Sequence, residues 1–180
     1  MRRTITLAAM LVLATTGAAS AGGQGGSIGV GAEFGLGASF LPAGAGGGGT
    51  AVGEGGASMN YDAGKFHVGG ALGFADGGGS HDTVYSLSGR FYYHVHSTAM
   101  SDFGVGGTLG ILSIPNPLAT DQNNRDTLLF IEPGVQIRAF VASNVALSFT
   151  IGFVLGAVDA SGTLIGGQTT GSAGIHYYFF

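Results

Sequence analysis

Apolar residues alternate with polar or small ones along most of this chain, in segments of about ten residues. In the clearest segment, residues 85–96, apolar and aromatic side chains occupy one set of alternate positions: Tyr85, Leu87, Phe91, Tyr93 and Val95. The intervening positions are mostly polar: Ser86, Ser88, Arg90, Tyr92, His94 and His96. Successive side chains of a β-strand point to opposite faces, so this pattern predicts a strand with one apolar and one polar face. We count eight such segments, which predicts an all-β chain of eight strands.

The connections between these segments alternate in length. Four of them are long, at residues 39–49, 76–82, 113–126 and about 158–167. The other three, near residues 62–64, 97–102 and 141–144, are short. Long loops at one end and tight turns at the other are typical of antiparallel up-and-down barrels. We therefore expect the amino terminus at the same end as the short turns.

The composition indicates what surrounds such a barrel. Hydrophobic residues make up 45% of the chain and charged residues 9%, against roughly 25% charged residues in ordinary domains. Beyond residue 21 no run approaches the roughly 20 apolar residues of a membrane-spanning helix, and the 37 glycines disfavour helices. A closed barrel is the other structure that satisfies all backbone groups within lipid. The sequence therefore predicts an eight-stranded antiparallel up-and-down transmembrane β-barrel.

The first 21 residues differ from the rest. A pair of arginines at the start is followed by an apolar run over residues 5–13 and by small residues at 19–21. This order is typical of a cleavable secretory signal peptide. An uncleaved membrane anchor needs roughly 18 to 20 apolar residues, and this run is shorter. We therefore expect residues 1–21 to be removed and residues 22–180 to form one barrel domain.

Acidic residues avoid the predicted lipid-facing positions. All aspartates fall in predicted connections: Asp62, Asp76, Asp82, Asp102, Asp121, Asp126 and Asp159. The three glutamates, Glu33, Glu54 and Glu132, fall on the polar face of their segments. A charge in hydrocarbon is costly, so this distribution favours a barrel whose polar face lines the lumen. A soluble lipocalin-like barrel would require the opposite distribution, with an apolar interior.

The predicted lumen contains two groups of charged and imidazole side chains. Four residues lie at similar heights on their strands and are expected to form a central plug: Glu33, Glu54, Arg90 and Glu132. A second group is expected in the lumen nearer the short turns: Lys65, His94, His96 and Arg138. Because eight strands leave a lumen that side chains can fill, a plug is the expected state. Inward glycines, among them Gly31, Gly69 and Gly152, would leave space beside it, which keeps a gated path open as an alternative.

The chain ends on four aromatic residues, in the stretch AGIHYYFF. Within it, GIHYYF resembles the GxxYxF signal by which the assembly machinery of bacterial outer membranes recognises barrel proteins. The resemblance implies that Gly174, Tyr177 and Phe179 belong to this signal. Phe180 follows the motif, so either Phe179 or the pair Tyr178 and Phe180 would face lipid.

Taken with the export signal and the eight segments, this motif makes the chain similar to the small eight-stranded bacterial outer-membrane barrels, the type found in the membrane domain of OmpA. The resemblance covers essentially all of residues 22–180. It implies a location in the bacterial outer membrane, contact with the lipids of that membrane, and barrel-assembly machinery as a partner during biogenesis.

Two functions are compatible with these features. One is a structural or surface-interaction role, in which external loops contact an unidentified extracellular ligand. The other is narrow or gated transport of small polar or amphipathic solutes. An enzyme is not expected, because the neighbours Ser80, His81 and Asp82 are consecutive and seldom converge as nucleophile and base in that arrangement.

No cofactor or metal is expected, since His94 and His96 alone are too few ligands for a metal site. A nucleic-acid partner is also not expected. Beyond residue 21 the chain has ten acidic residues and only four basic ones. This excess of negative charge disfavours binding to a phosphate backbone.

Overall fold

The computed structural model describes residues 25–39, 51–76, 83–115, 125–158 and 166–179. The expected signal peptide lies outside these ranges. Every regular element within them is a β-strand. The described residues include no helix of the length and hydrophobicity needed to cross a membrane.

Eight antiparallel strands form one closed barrel. They are β1 (Ser27–Ser39), β2 (Ala51–Asp62), β3 (Phe66–Ala75), β4 (Val84–Ser97), β5 (Ser101–Pro115), β6 (Arg125–Ala142), β7 (Val145–Val158) and β8 (Gly166–Phe179). Each strand pairs with its neighbour in sequence, and β8 closes the barrel by pairing with β1. The predicted fold class is confirmed, and each predicted segment coincides with one strand.

The two ends of the barrel differ in the length of their connections. Residues 63–65, 98–100 and 143–144 join strands by tight turns, at the end where β1 begins and β8 finishes. We call this the turn end, and the opposite end the loop end. Gly64 has a φ of 86°, a conformation that favours glycine, and its N–H donates to Asp62 Oδ1 at 2.8 Å. The predicted alternation of short and long connections is confirmed.

The barrel is apolar outside and polar inside. Large hydrophobic side chains at outward positions are exposed, among them Phe34 (53%), Leu72 (62%) and Leu109 (57%). The largest fully buried side chains are instead mostly polar: Arg138, Tyr92, Tyr178, His67, His176, Asp62 and Ser27. A soluble barrel with an apolar interior is inconsistent with this distribution, whereas a barrel surrounded by lipid requires it.

Two β-bulges near the turn end offset the pattern of faces. The β4–β5 pairing shifts between His94 and His96, and the β6–β7 pairing shifts between Phe140 and Ala142. A bulge adds one residue to one strand, so side chains beyond it change face. His96 therefore pairs with the outward residue Phe103 and is exposed.

Pro133 interrupts the ladder between β6 and β7 without shifting its register. Ile131 pairs with Leu155 and Gly134 pairs with Gly152, while the residues between them have no partner on β7. Proline has no N–H to donate, which accounts for the local gap. The strands keep their alignment on both sides of it.

The prediction that every aspartate lies in a connection is wrong for two buried residues. Asp62 is the last residue of β2 and is 0% exposed, and Asp102 is the second residue of β5 and is 3% exposed. The strands continue up to the tight turns, so residues beside a turn still alternate between lumen and lipid. Asp126 also lies on a strand, β6.

Candidate functional site in the barrel lumen

The lumen contains two clusters of hydrogen-bonded polar side chains. The first, which we call the Glu33 cluster, consists of Glu33, Arg90, His176, Ser58 and Asn60. The second, the Arg138 cluster, lies nearer the turn end and consists of Arg138, Asp62, Asp102, His67, His94 and Tyr178. Each is built from residues that are distant in sequence and brought together by closure of the barrel.

An ion pair across the lumen forms the centre of the Glu33 cluster. Arg90 on β4 donates from both terminal nitrogens to the carboxylate of Glu33 on β1, with Nη1 to Oε2 at 2.8 Å. Arg90 Nε also donates to Asn60 Oδ1 at 3.0 Å. The two charged side chains are only 7% and 12% exposed. Two parallel bonds of this kind fix the relative orientation of the two groups and strengthen the contact.

His176 connects this ion pair to the walls. Its Nε2 lies 2.9 Å from Glu33 Oε1 and 2.8 Å from Ser58 Oγ, while Nδ1 lies 3.4 Å from Ser148 Oγ. Strands β1, β2, β7 and β8 are therefore linked through one imidazole. The charge pattern in the sequence does not single out His176, because only the register of β8, which pairs it with Gly31, brings its ring within reach of Glu33.

Inward glycines make room for these large side chains. A Cβ on each of several glycines would come within 3.0 Å of a polar or aromatic side chain on an adjacent strand: Gly29 of Tyr178, Gly31 of His176, Gly69 of Asn60, Gly152 of Glu132 and Gly174 of Glu33. The expectation that inward glycines leave empty space is wrong at Gly29, Gly31, Gly69 and Gly152. Their space is filled by their neighbours.

The predicted four-residue plug is only partly described. Glu33 and Arg90 are in direct contact, as stated above. Glu132 lies against Gly152 on β7, where a Cβ would be 2.5 Å from its Oε1. Glu54 pairs through its backbone with Gly35, and its side chain lies outside the described part of the chain, so its place in the plug stays a prediction.

The Arg138 cluster surrounds a single buried guanidinium. Arg138 Nη2 lies 2.6 Å from Asp62 Oδ2 and 2.7 Å from Asp102 Oδ2, and Nη1 donates to the Tyr178 hydroxyl at 3.0 Å. Arg138 itself is 2% exposed. A charge this deeply buried requires such compensation. The register explains one contact directly, because Asp102 and Arg138 are cross-strand partners.

Two histidines extend the Arg138 cluster across β3 and β4. His94 Nδ1 lies 2.8 Å from the Gly64 carbonyl oxygen, which can only accept, so this nitrogen carries the hydrogen. In the neutral ring His94 Nε2 is then an acceptor, and it receives bonds from Arg138 Nη2 at 3.0 Å and from His67 Nδ1 at 2.8 Å. The network therefore assigns one tautomer to each of the two rings.

Asp62, His94 and Asp102 present ligand atoms that lie within 4.8 Å of one another, a spacing that could hold a metal ion. Arg138 Nη2 contacts an atom of each residue at 3.0 Å or less. The positive charge between these groups is thus supplied by the protein itself. The arrangement compensates the two carboxylates and does not require a metal.

Two residues assigned to the lumen near the turn end lie elsewhere. His94 and Arg138 are buried in the lumen, as predicted. Lys65 instead lies in the β2–β3 turn and is exposed, and His96 is exposed because of the bulge that precedes it. His94 and His96 consequently do not share a face, which removes the histidine pair considered from the sequence.

At the carboxyl terminus, alternation continues to the last described residue. Phe179 is 55% exposed, whereas Tyr178 is 1% exposed and belongs to the Arg138 cluster. Gly174 and Tyr177 lie on β8 between β1 and β7. Phe179 therefore faces outward, with the Tyr177 ring beside it at 5.0 Å, and the alternative pairing of Tyr178 with Phe180 is wrong for Tyr178. Phe180 lies outside the described residues.

Comparison with solved structures gives consistent likenesses of fold. The amino-terminal barrel domain of Pseudomonas aeruginosa OprF matches with a TM-score of 0.58 at 15% identity, covering 88% of this chain and 99% of that one. Neisserial surface protein A matches with a TM-score of 0.54 at 15% identity, covering 87% and 98%. Ail, the attachment invasion locus protein of Yersinia pestis, matches with a TM-score of 0.52 at 12% identity, covering 87% and 100%.

This chain has the fold of the small eight-stranded outer-membrane barrels. No protein-family model matches the sequence, and no curated protein matches it significantly. At these identities the likeness concerns the fold and not the activity.

Proposed function

We propose that this protein is an integral barrel of the bacterial outer membrane, with a closed lumen and a structural or surface-interaction role. The observation that carries the proposal is the inversion of polarity, with exposed hydrophobic side chains outside and a hydrogen-bonded ionic network inside. A barrel of this kind is stable only where its outer wall contacts lipid.

The dimensions of the outer wall support insertion in a membrane. On β4, the outward aromatic residues Tyr85 and Tyr93 are eight positions apart and about half exposed. At roughly 3.3 Å per residue and a tilt of about 40°, they are separated by roughly 20 Å along the barrel axis. Outer-membrane barrels have an apolar band of about 25 Å between two aromatic girdles. The aromatic side chains therefore have the spacing expected of the two interfaces.

The polar clusters support a closed lumen. The Glu33–Arg90 pair crosses the lumen, and the Arg138 cluster fills its turn end. The space above the inward glycines, which could have left an opening through the lumen, is occupied by these side chains. We infer that steady diffusion of solutes through the barrel is blocked, and that the function depends on the exterior.

The loop end supports a role in contact with the surroundings. By analogy of topology we assign the turn end to the periplasm and the loop end to the cell exterior. Two of the similar structures carry names that refer to attachment or to the cell surface, Ail and Neisserial surface protein A. We propose that the long connections of this chain contact an extracellular ligand whose identity is unknown, that the role is not enzymatic, and that the Gly174–Phe179 motif mediates assembly.

Electrophoresis of membrane fractions without and with heating tests the location and the fold. A folded outer-membrane barrel is expected to enter that fraction and to change its migration on heating. Recovery in the soluble periplasmic fraction would contradict the proposal.

Planar-bilayer recordings of the refolded protein test the closed lumen. The unaltered protein is expected to give no steady conductance. Arg90→Ala is expected to raise conductance, because it removes the side chain that crosses the lumen and leaves Glu33 without its strongest partner. Lys65→Ala, which removes an exposed charge in a turn, is the control and is expected to stay silent. Steady conductance of the unaltered protein would favour the transport function instead.

A further inference from the structure

One basic residue lies on the outer wall at the loop end. Beyond the arginines at positions 2 and 3, the chain has four basic residues. Arg90 and Arg138 are in the lumen, and Lys65 is in a turn at the opposite end. Arg125 opens β6 and pairs with Pro115. Arg125 is separated from Leu129 and Ile131 by an even number of positions on the same strand, and those two side chains are 54% and 53% exposed. Its side chain is therefore on the lipid-facing side of the strand.

The contacts of Arg125 agree with this orientation and hold the guanidinium in place. Nε donates to Ser113 Oγ at 2.9 Å, and Nη2 donates to the carbonyl oxygens of Thr83 and Ser113 at 2.6 and 2.9 Å. The carbon Cζ lies 5.2 Å from the centre of the Tyr85 ring. Backbone acceptors on two neighbouring segments and an aromatic face thus fix a planar cation, which is a favourable cation–π geometry.

These contacts leave part of the guanidinium available. The hydrogen bonds of Arg125 use Nε and Nη2, and Nη1 makes none to the described residues. Nη1 carries two N–H donors that can form a charge-assisted hydrogen bond with phosphate, and a guanidinium that is already fixed loses less entropy on binding. Nη1, which makes no hydrogen bond within the described part of the chain, is therefore suited to an oxygen of a phosphate group.

The depth of the site determines which phosphate it meets. Tyr85 pairs with Phe74 on β3 and with Ser113 on β5, at the loop-end border of the apolar wall. Phe74 and Tyr85 are 60% and 55% exposed. Aromatic side chains at such a border lie at the level of lipid headgroups. Arg125 therefore lies beside headgroups and above acyl chains.

We propose that Arg125, supported by Tyr85, forms a binding site for the phosphate of an anionic lipid headgroup in the outer leaflet. The inference rests on the proposed outer-membrane location and adds a ligand class and a position to it. Asp76 is exposed at the same end and makes an interaction of its own, so the described residues of this end include an acidic side chain as well as Arg125. Binding consequently depends on the local geometry around Arg125.

The test is a lipid titration of the refolded protein in detergent micelles, with bound lipid counted by native mass spectrometry. The probe is lipid A, which carries phosphates, and phosphatidylcholine is the zwitterionic comparison. Arg125→Gln is expected to weaken lipid A binding about ten-fold or more, the effect of losing a charge-assisted hydrogen bond. Arg125→Lys keeps the charge but loses the planar group that Ser113, Thr83 and Tyr85 hold in place, so its lipid A affinity is expected to lie between those of the unaltered protein and Arg125→Gln.

Lys65→Gln is the matched control, because it removes the same charge at the opposite end. Equal losses in Arg125→Gln and Lys65→Gln, or no loss in Arg125→Gln, would overturn the site. Complete competition by millimolar inorganic phosphate would overturn the assignment to a lipid headgroup. Heat-modified migration of every variant separates the two proposals: a protein that folds and inserts but binds lipid A independently of Arg125 contradicts only this site.

Discussion

Arg138 is the side chain on which the polar interior of the turn end depends. Its guanidinium contacts two buried carboxylates, those of Asp62 and Asp102. A buried ion pair adds little net stability compared with apolar residues, but removal of one partner leaves an uncompensated charge and is strongly destabilising. The cost of substituting Arg138 therefore comes mainly from the two buried carboxylates that lose their compensating positive charge.

Arg138→Met is expected to destabilise the barrel by about 3 to 5 kcal/mol, because two carboxylates remain buried without a cation. The measurement is the free energy of unfolding in urea, in lipid vesicles. Lys65→Met, at an exposed turn position, is the control and is expected to change the value by about 0.5 kcal/mol or less. Adding Asp62→Asn and Asp102→Asn to Arg138→Met should restore part of the loss. Similar effects of the two single substitutions would contradict this account.

Two adjacent glycines of β2 offer a comparison within one strand. A Cβ at Gly56 would overlap the Leu72 carbonyl oxygen and approach Gly73 Cα to 2.8 Å, whereas a Cβ at Gly55 would meet nothing within 4 Å. Gly56→Ala is expected to cost about 1 to 3 kcal/mol by overpacking, and Gly55→Ala to be neutral or mildly stabilising. The same urea titration measures both. If Gly56→Ala leaves the free energy of unfolding unchanged, the backbones of β2 and β3 can move apart enough to accept a Cβ, which would contradict the overpacking argument.

Individual residues show which locations could be predicted from the sequence and which could not. Alternation alone predicts that Glu33, Arg90 and Arg138 face the lumen, and they do. The assignment of Asp62 and Asp102 to connections is wrong, because aspartate is a usual turn residue and an aspartate at the end of a strand has the same sequence pattern.

Each strand was predictable as an element because apolar residues fall on one face over ten or more positions. The two bulges were not, since one added residue leaves no mark in composition. The consequence is visible at His96, whose predicted face is reversed by the bulge after His94. Register could be predicted only up to the first such irregularity.

At the closing strand, Phe179→Ala is expected to reduce the folded fraction in the outer membrane. Phe179 is outward and pairs with Ile28 across the β1–β8 seam, so its loss removes both lipid contact and the last position of the assembly motif. Phe180→Ala is the matched comparison and is expected to have the smaller effect. Heat-modified migration of outer-membrane fractions measures both. A larger defect in Phe180→Ala would assign the signal to the final residue instead.

For the molecule as a whole, the sequence predicts the outer wall of the barrel better than the contacts inside it. Closure of the barrel, and with it the apolar exterior, follows from the sequence pattern. The contacts across the lumen do not, because they join residues as distant as Glu33 and His176, 143 positions apart. Such contacts depend on the stagger of eight strands around the barrel, which no local pattern contains.

Leu109→Arg tests the membrane setting of the whole wall. Leu109 pairs with Gly89, midway between Tyr85 and Tyr93, so a charge here lies near the centre of the bilayer and is expected to cost about 2 to 4 kcal/mol. Val141→Arg, at the bulge beside a turn and 61% exposed, should cost about 0 to 1 kcal/mol. The difference should disappear in detergent micelles thin enough to hydrate both positions. Equal costs in vesicles would mean that the wall does not span lipid.

The Arg138 cluster draws its members from β2, β3, β4, β5, β6 and β8. The hydroxyl of Tyr178, which accepts from Arg138 Nη1, is supplied by the final strand. Completion of the ring therefore supplies the hydrogen-bond acceptor of Arg138 Nη1, while Asp62 and Asp102 on earlier strands neutralise the charge. A chain that stalls one strand short leaves that nitrogen without this partner, so the closing strand contributes a polar contact to the lumen as well as a seam to the wall.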